Sequence, residues 1–174
     1  MDFSYYDQFI DKRENRRYDL TPLFKEPTVF QNLINDLSYP FKQSKIETIA
    51  GIESFGFILG AGIAQLLTKG FLPIRKGGKL ACIPELVDRV SIVDYSGIEK
   101  TLELKRESVK KGERFLLVDE WVDTCAQMNA SIHLIESNGG IIEGISLIGI
   151  EKNSHTEELM KRYNVRAIGV NPYP

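Results

Sequence analysis

The segment Arg114–Met128, RFLLVDEWVDTCAQM, constrains the fold more than any other part of the chain. Arg114 and the run Phe115-Leu116-Leu117-Val118 read as a strand with no polar face, which is how a parallel strand covered on both sides is written. Two adjacent carboxylates, Asp119 and Glu120, stand at its carboxyl end. A short loop over Trp121 to Gln127 then runs into a helix expected from about Ala126 to Ser137. In open α/β sheets, ligands bind in the crevice outside the carboxyl ends of the strands. Folding alone gives little reason for a carboxylate pair there. Such a pair suits a cation or the hydroxyls of a sugar. The loop beyond it aims backbone N–H groups at whatever lies above the helix N-terminus, a natural seat for phosphate.

The rest of the chain alternates strand and helix patterns. Strands are expected over Ile46–Ile52, Phe71–Ile74, Thr101–Leu104, Ile141–Ile150 and Val165–Val170. A turn at Glu53–Gly56 leads into a helix over Phe57–Leu67 that is rich in small residues, Gly60, Ala61, Gly62 and Ala64. Thr28 is placed to cap a helix over Val29–Leu37, Asn138-Gly139-Gly140 ends the helix before the fourth of these strands, and Thr156–Tyr163 reads as a last helix. Asp2–Arg17 mixes aromatics with the charged run Lys12-Arg13-Glu14-Asn15-Arg16-Arg17 and reads as a helix packed on the body. Leu80–Gly97 reads as irregular. The pattern predicts an α/β fold, a mostly parallel sheet with helices on both faces.

Composition excludes several classes. At 174 residues and 43% hydrophobic, the chain suits one domain with a full core. A net charge of −2 provides no general attraction to nucleic acid or membrane, and the basic run Lys12–Arg17 reads as a solvated helix face. The start MDFSYYDQFI has no basic segment followed by a long apolar run, so a signal peptide is not expected, and no apolar stretch nears the roughly 20 residues that span a bilayer. Cys82 and Cys125 are far apart, which points to a reducing cytoplasm rather than a disulfide framework. His133 and His155 have no Cys or His at metal-ligand spacing, so no zinc site is expected.

Four segments carry a resemblance when set in order: Asp19-Leu20-Thr21-Pro22-Leu23, Gly51-Ile52-Glu53-Ser54-Phe55-Gly56-Phe57, Ile74-Arg75-Lys76-Gly77-Gly78-Lys79-Leu80 and Val118-Asp119-Glu120. Their order, spacing and wording resemble the type I phosphoribosyltransferase family, adenine branch, over about Tyr18 to Ile150. The resemblance implies the parallel-sheet fold of that family, with a small N-terminal hood over residues 1–27 and a mobile lid over residues 80–97, in a single domain. It implies transfer of a 5-phosphoribosyl group from phosphoribosyl pyrophosphate to a purine, adenine first, with Mg2+, in a cytoplasmic homodimer.

Residue by residue, the resemblance implies the following roles. Glu53, Ser54, Phe55 and Gly56 match the pyrophosphate loop, in which relatives often carry a non-proline cis peptide at the bond matching Glu53–Ser54. Arg75, Lys76 and Lys79 match the basic motif that contacts pyrophosphate, partly across the dimer interface. Asp119 and Glu120 match the acidic pair that holds the ribose 2- and 3-hydroxyls and favours a cationic, oxocarbenium-like transition state; the metal has no direct protein ligand, with Asp119 reaching it through water. Asp123-Thr124-Cys125-Ala126-Gln127 matches the 5-phosphate loop, and Asp123 matches the base that hypoxanthine-guanine relatives aim at a purine ring nitrogen. Asp94 and Tyr95 match the lid's acidic-aromatic pair, a proton shuttle and a cover that excludes water. Tyr18 and Leu20 of the hood, with Trp121 and Val122, would enclose the base, and Arg17 or Tyr18 replaces the usual hood pattern.

The chain departs from the family at sensitive points. Phe55 stands where the family usually has Arg, and Cys125-Ala126-Gln127 replaces Gly-Gly-Thr. A positive φ at the first of these positions would strain Cys125. No His is placed to activate Cys125 as a nucleophile. These departures raise two other readings: a non-catalytic or regulatory protein of the same fold that binds phosphoribosyl pyrophosphate or a nucleotide, and a transferase for a non-purine base.

Overall fold

The computed structural model describes residues 1–12, 18–81, 83–93 and 98–171. Its strands are β1 (Thr48–Ile52), β2 (Gly70–Lys76), β3 (Val87–Val93), β4 (Glu99–Lys105), β5 (Arg114–Val122), β6 (Ile141–Ile150) and β7 (Val165–Val170). Its helices are α1 (Phe3–Asp7), α2 (Thr21–Lys25), α3 (Pro27–Ser38), α4 (Phe55–Leu67), α5 (Ala126–Ser137) and α6 (Ser154–Arg162). The strands form one sheet in the order β3-β4-β2-β1-β5-β6-β7. β2, β1, β5, β6 and β7 run parallel, while β3 and β4 form an antiparallel hairpin on the β2 edge.

Two apolar layers cover the two faces. On one, α5 and Leu159 of α6 bury against Ala50, Leu72, Phe115, Leu117 and Leu147. On the other, α3, α4 and the N-terminal residues bury against Ile49, Leu116, Val118 and Ile148. Alternate residues of β5 thus serve opposite layers, which explains why its sequence carries no polar face. The crossover through α4 lies on one face and the crossover through α5 on the other. The strand order therefore reverses between β1 and β5, and this is the crevice where an open α/β sheet takes its ligand.

The described residues before α3 pack against it and against the sheet. Tyr6 is fully buried and donates its hydroxyl to Asp36 of α3, and Asp11 bridges Asp19. Phe3 lies where a side chain on Gly169 would have to stand. Three expectations are corrected. β5 does not stop at Val118 but continues through Asp119, Glu120 and Trp121 to Val122, because β6 pairs with it as far as Val122↔Ile150. The stretch expected to be irregular over 80–97 contains β3, whose seven residues pair in register with β4. α3 begins at Pro27 with Glu26 before it and no side-chain cap, so Thr28 lies inside the helix. No helix among the described residues is long and apolar enough to cross a membrane.

Candidate active site

Close backbone approach builds the crevice. A Cβ on Gly51 would collide with the backbone of Gly56, and one on Gly56 would lie 2.7 Å from the carbonyl oxygen of Val118 and 3.2 Å from Oδ1 of Asp119. Glycine at both positions lets the first turn of α4 sit directly on the end of β5. The Glu53–Ser54 peptide is cis, as the resemblance implied. Ser54 precedes α4 without a side-chain cap, so the first N–H groups of α4 point into the crevice.

Asp119 is 7% exposed, and its Oδ1 accepts the backbone N–H of Glu120 at 3.0 Å. Burial, and then the negative charge and carboxyl of Glu120, push the Asp119 carboxyl well above the usual carboxylate range; Lys76 opposes this. Oε2 of Glu120 is buried with no hydrogen-bond partner among the described residues. One backbone donor and Lys76 compensate these crowded carboxyls only in part.

Glu53 organises the basic motif. Its Oε2 accepts the backbone N–H of Lys76 at 3.0 Å and Nε of Arg75 at 3.5 Å, and its other oxygen pairs with Nζ of Lys79. Burial works against ionising Glu53, but Lys79, the Lys76 amide and Arg75 outweigh it and hold the carboxyl below its ordinary range. Arg75 and Lys79 thus converge on one carboxylate beside the crevice.

The loop after β5 spans Asp123–Cys125. Cys125 has φ +61°, the left-handed conformation that its sequence position suggested, at about 1–2 kcal/mol for a non-glycine residue. It precedes α5 and provides no side-chain cap; Oγ1 of Thr124 accepts the Ala126 N–H in a long 3.5 Å contact. The start of α5 is therefore open to an anion. Cys125 is 2% exposed, and burial, with the charges of Asp123 and Glu158, pushes its thiol up to about 11. A thiol in that setting is structural, not nucleophilic. Asp123 is exposed, and Asn153 donates its side-chain amide to both the Asp123 carbonyl (3.0 Å) and Oδ1 (3.2 Å).

Trp121 forms the opposite wall. Its indole Nε1 donates to Oε1 of Glu151 at 3.0 Å, and its ring lies where a Cβ on Gly149 would fall within 2.6–2.7 Å of three ring carbons. Tyr18 tilts over it with centroids 5.3 Å apart, and Phe3 meets it edge-on at 6.2 Å.

No family model matches the chain. The chain is 36% identical over 153 residues to an adenine phosphoribosyltransferase of Neisseria meningitidis serogroup C, across 87% of this chain and 76% of that protein. The solved adenine phosphoribosyltransferase of Rhodothermus marinus has a TM-score of 0.84 at 28% identity, covering 97% of each chain. That of Thermoanaerobacter pseudethanolicus has a TM-score of 0.85 at 27% identity, covering 97% of this chain and 99% of that one. The chain belongs to the adenine phosphoribosyltransferase family. Its sheet and helices are the α/β type I phosphoribosyltransferase fold.

Within this adenine phosphoribosyltransferase fold, the structure gathers Glu53, Ser54, Gly56, Arg75, Lys76, Lys79, Asp119 and Glu120 around the crevice, with Thr124–Gln127 opening α5 on the following loop. Other expected residues stand differently. The Phe55 ring packs on Phe24 of α2 at 5.4 Å, so its side chain is committed to the N-terminal residues while its backbone opens α4. Val122 is buried in the apolar layer on the α5 face, and the Leu20 side chain is buried in the layer on the α4 face, leaving only the backbone of Leu20 to face a ligand. Asp94, Tyr95 and Arg17 lie outside the described residues. Two residues went unread in the sequence: Glu151 holds Trp121, and Asn153 holds Asp123. The Asn-x-x-Thr spacing of Asn153 and Thr156 is a helix-start signal that would have drawn attention to Asn153.

Proposed function

We propose that this chain is an enzyme of adenine phosphoribosyltransferase type, moving the 5-phosphoribosyl group from phosphoribosyl pyrophosphate to adenine and releasing pyrophosphate. One observation carries the reading: the Asp119–Glu120 pair, with Asp119 buried, lies at the strand-order reversal, between the uncapped starts of α4 and α5. The α5 start and Thr124 take the 5-phosphate. The α4 start, Arg75, Lys76 and Lys79 take the pyrophosphate, with Glu53 aligning the cations beforehand. The acid pair takes the ribose hydroxyls, and its unpartnered Oε2, beside an Asp119 carboxyl pushed above the usual carboxylate range, is what a site built for donors looks like.

In the reaction the bond from ribose C1 to the pyrophosphate oxygen breaks, and its electron pair leaves with pyrophosphate. A ring nitrogen of the base forms the new bond to C1, and the proton displaced from the base passes to Asp123. Asp119 and Glu120 stabilise the positive charge that develops on the ribose. Tyr18 and Trp121 wall the base, with hood backbone reading its edge; Asp94 and Tyr95 are assigned proton shuttling and cover. The donor set also fits Mg2+, which is commonly held by one or two carboxylates and substrate oxygens: the crowded carboxyls of Asp119 and Glu120 face the crevice, and Asp119 would reach the metal through water. When bound, Mg2+ compensates the charge of the leaving pyrophosphate. A cytoplasmic homodimer completes the reading, because the basic motif of relatives works partly across the subunit interface.

Purified protein with labelled phosphoribosyl pyrophosphate, Mg2+ and a panel of bases tests it. Nucleotide formed fastest with adenine is the expected result. Calorimetric binding of phosphoribosyl pyrophosphate with no nucleotide from any base would replace the enzyme by a binding protein.

A further inference from the structure

The turn joining β6 to α6 reaches into the site at Asp123, and no signal in the phosphate loop itself accounts for this. Asn153 is the link. Its Oδ1 accepts the backbone N–H groups of His155 and Thr156 at 3.0 and 3.1 Å, and Thr156 Oγ1 accepts the Asn153 N–H at 3.0 Å. This capping box orients the amide, because Oδ1 must face the helix. The NH2 group is thereby aimed at Asp123, where it bonds the carbonyl and Oδ1. Among the described residues, Oδ2 of Asp123 has no partner and stays available.

We propose that Asn153 is a positioning residue: it holds the Asp123 carboxylate turned so that Oδ2 receives the proton of the acceptor base. The inference rests on the enzyme reading above, which assigns Asp123 the proton.

Asn153→Ser separates positioning from folding, because Ser caps a helix almost as well as Asn but has no NH2 to give Asp123. A crystal structure of N153S is expected to show the Asp123 carboxylate turned out of its wild-type orientation. In turnover with adenine, N153S is expected to lower kcat about tenfold at unchanged KM for phosphoribosyl pyrophosphate. In an Asp123→Asn background, where the acceptor is gone, adding N153S is expected to change kcat less than twofold. A wild-type orientation of the Asp123 carboxylate in N153S, an unchanged kcat in N153S, or the same tenfold loss in both backgrounds overturns the proposal. If the wild type forms no nucleotide with any base, the enzyme reading fails by itself, and the N153S structure alone decides whether Asn153 orients Asp123.

Discussion

Gly56→Ala sets two effects of opposite sign against each other. Gly56 is the second residue of α4 and has ordinary helical φ, so an alanine relieves the entropic cost of glycine and would stabilise the helix by up to about 1 kcal/mol if space allowed. Space does not allow it. The new Cβ would lie 2.7 Å from the Val118 carbonyl oxygen, several tenths of an ångström inside normal contact, and the obstacle is backbone in a central strand. The Asp119 Oδ1 at 3.2 Å is also in the way. Overpacking of this kind costs about 1–3 kcal/mol, which exceeds the helix gain over most of its range. For a chain of this length each kcal/mol corresponds to about 2–4 °C, so thermal unfolding is expected to show a loss of several degrees. The displacement falls between the start of α4 and the acid pair, and a misplacement approaching 1 Å costs on the order of 100-fold in rate. Steady-state turnover with adenine should therefore fall far more than stability does. A G56A protein that is more stable than wild type, with kcat within twofold, would refute the claim that close approach at this glycine builds the site.

Asp119→Asn should raise Tm at pH 8 while cutting turnover by at least about 100-fold. The folded carboxyl is pushed up by burial and by Glu120, so ionising it costs the folded state as pH rises past the ordinary carboxylate value; the variant's stability advantage should grow with pH and vanish in acid. Glu53→Gln should show the opposite trend. Its carboxyl is held low, so its contribution is fully present near neutral pH and fades as pH falls below about 4, where the urea midpoints of wild type and variant should converge. In a Cys82→Ser background, native protein at pH 8 should resist a thiol reagent and react once unfolded, because the remaining thiol, Cys125, is buried and shifted up to about 11. Cys125→Gly should leave Tm within a few degrees, since about 1–2 kcal/mol of relieved strain offsets the lost burial, whereas Cys125→Val should lower it clearly.

What was readable in the sequence was local. Phe115–Val118 has no polar face because both of its faces are covered, and that requirement is written residue by residue. The acid pair at its end, the glycines at 51 and 56 and the basic turn at 75–79 are short runs whose chemistry survives in one dimension. β3 was not readable, because VDRVSIV is an edge strand, with only its first residue buried and charges at Asp88 and Arg89 breaking the apolar pattern. The extent of β5 was not readable either, because carboxylates and a tryptophan look like a loop until β6 supplies hydrogen-bond partners as far as Ile150.

The sequence by itself determined the alternating fold, the family and the acidic half of the site, because each rests on neighbours in the chain. The tertiary structure alone decided what the side chains are committed to. Phe55 and Leu20 went to the apolar layer of the N-terminal residues and Val122 to the layer on the α5 face, since burying apolar area outweighs any contact with a polar ligand. Glu53 became the anchor of the cations rather than a member of a plain turn, and Asn153 reached Asp123 from 30 residues away. Those pairings depend on which loops the parallel crossovers bring to the same end of the sheet, and a parallel sheet makes its contacts between segments that are distant in sequence.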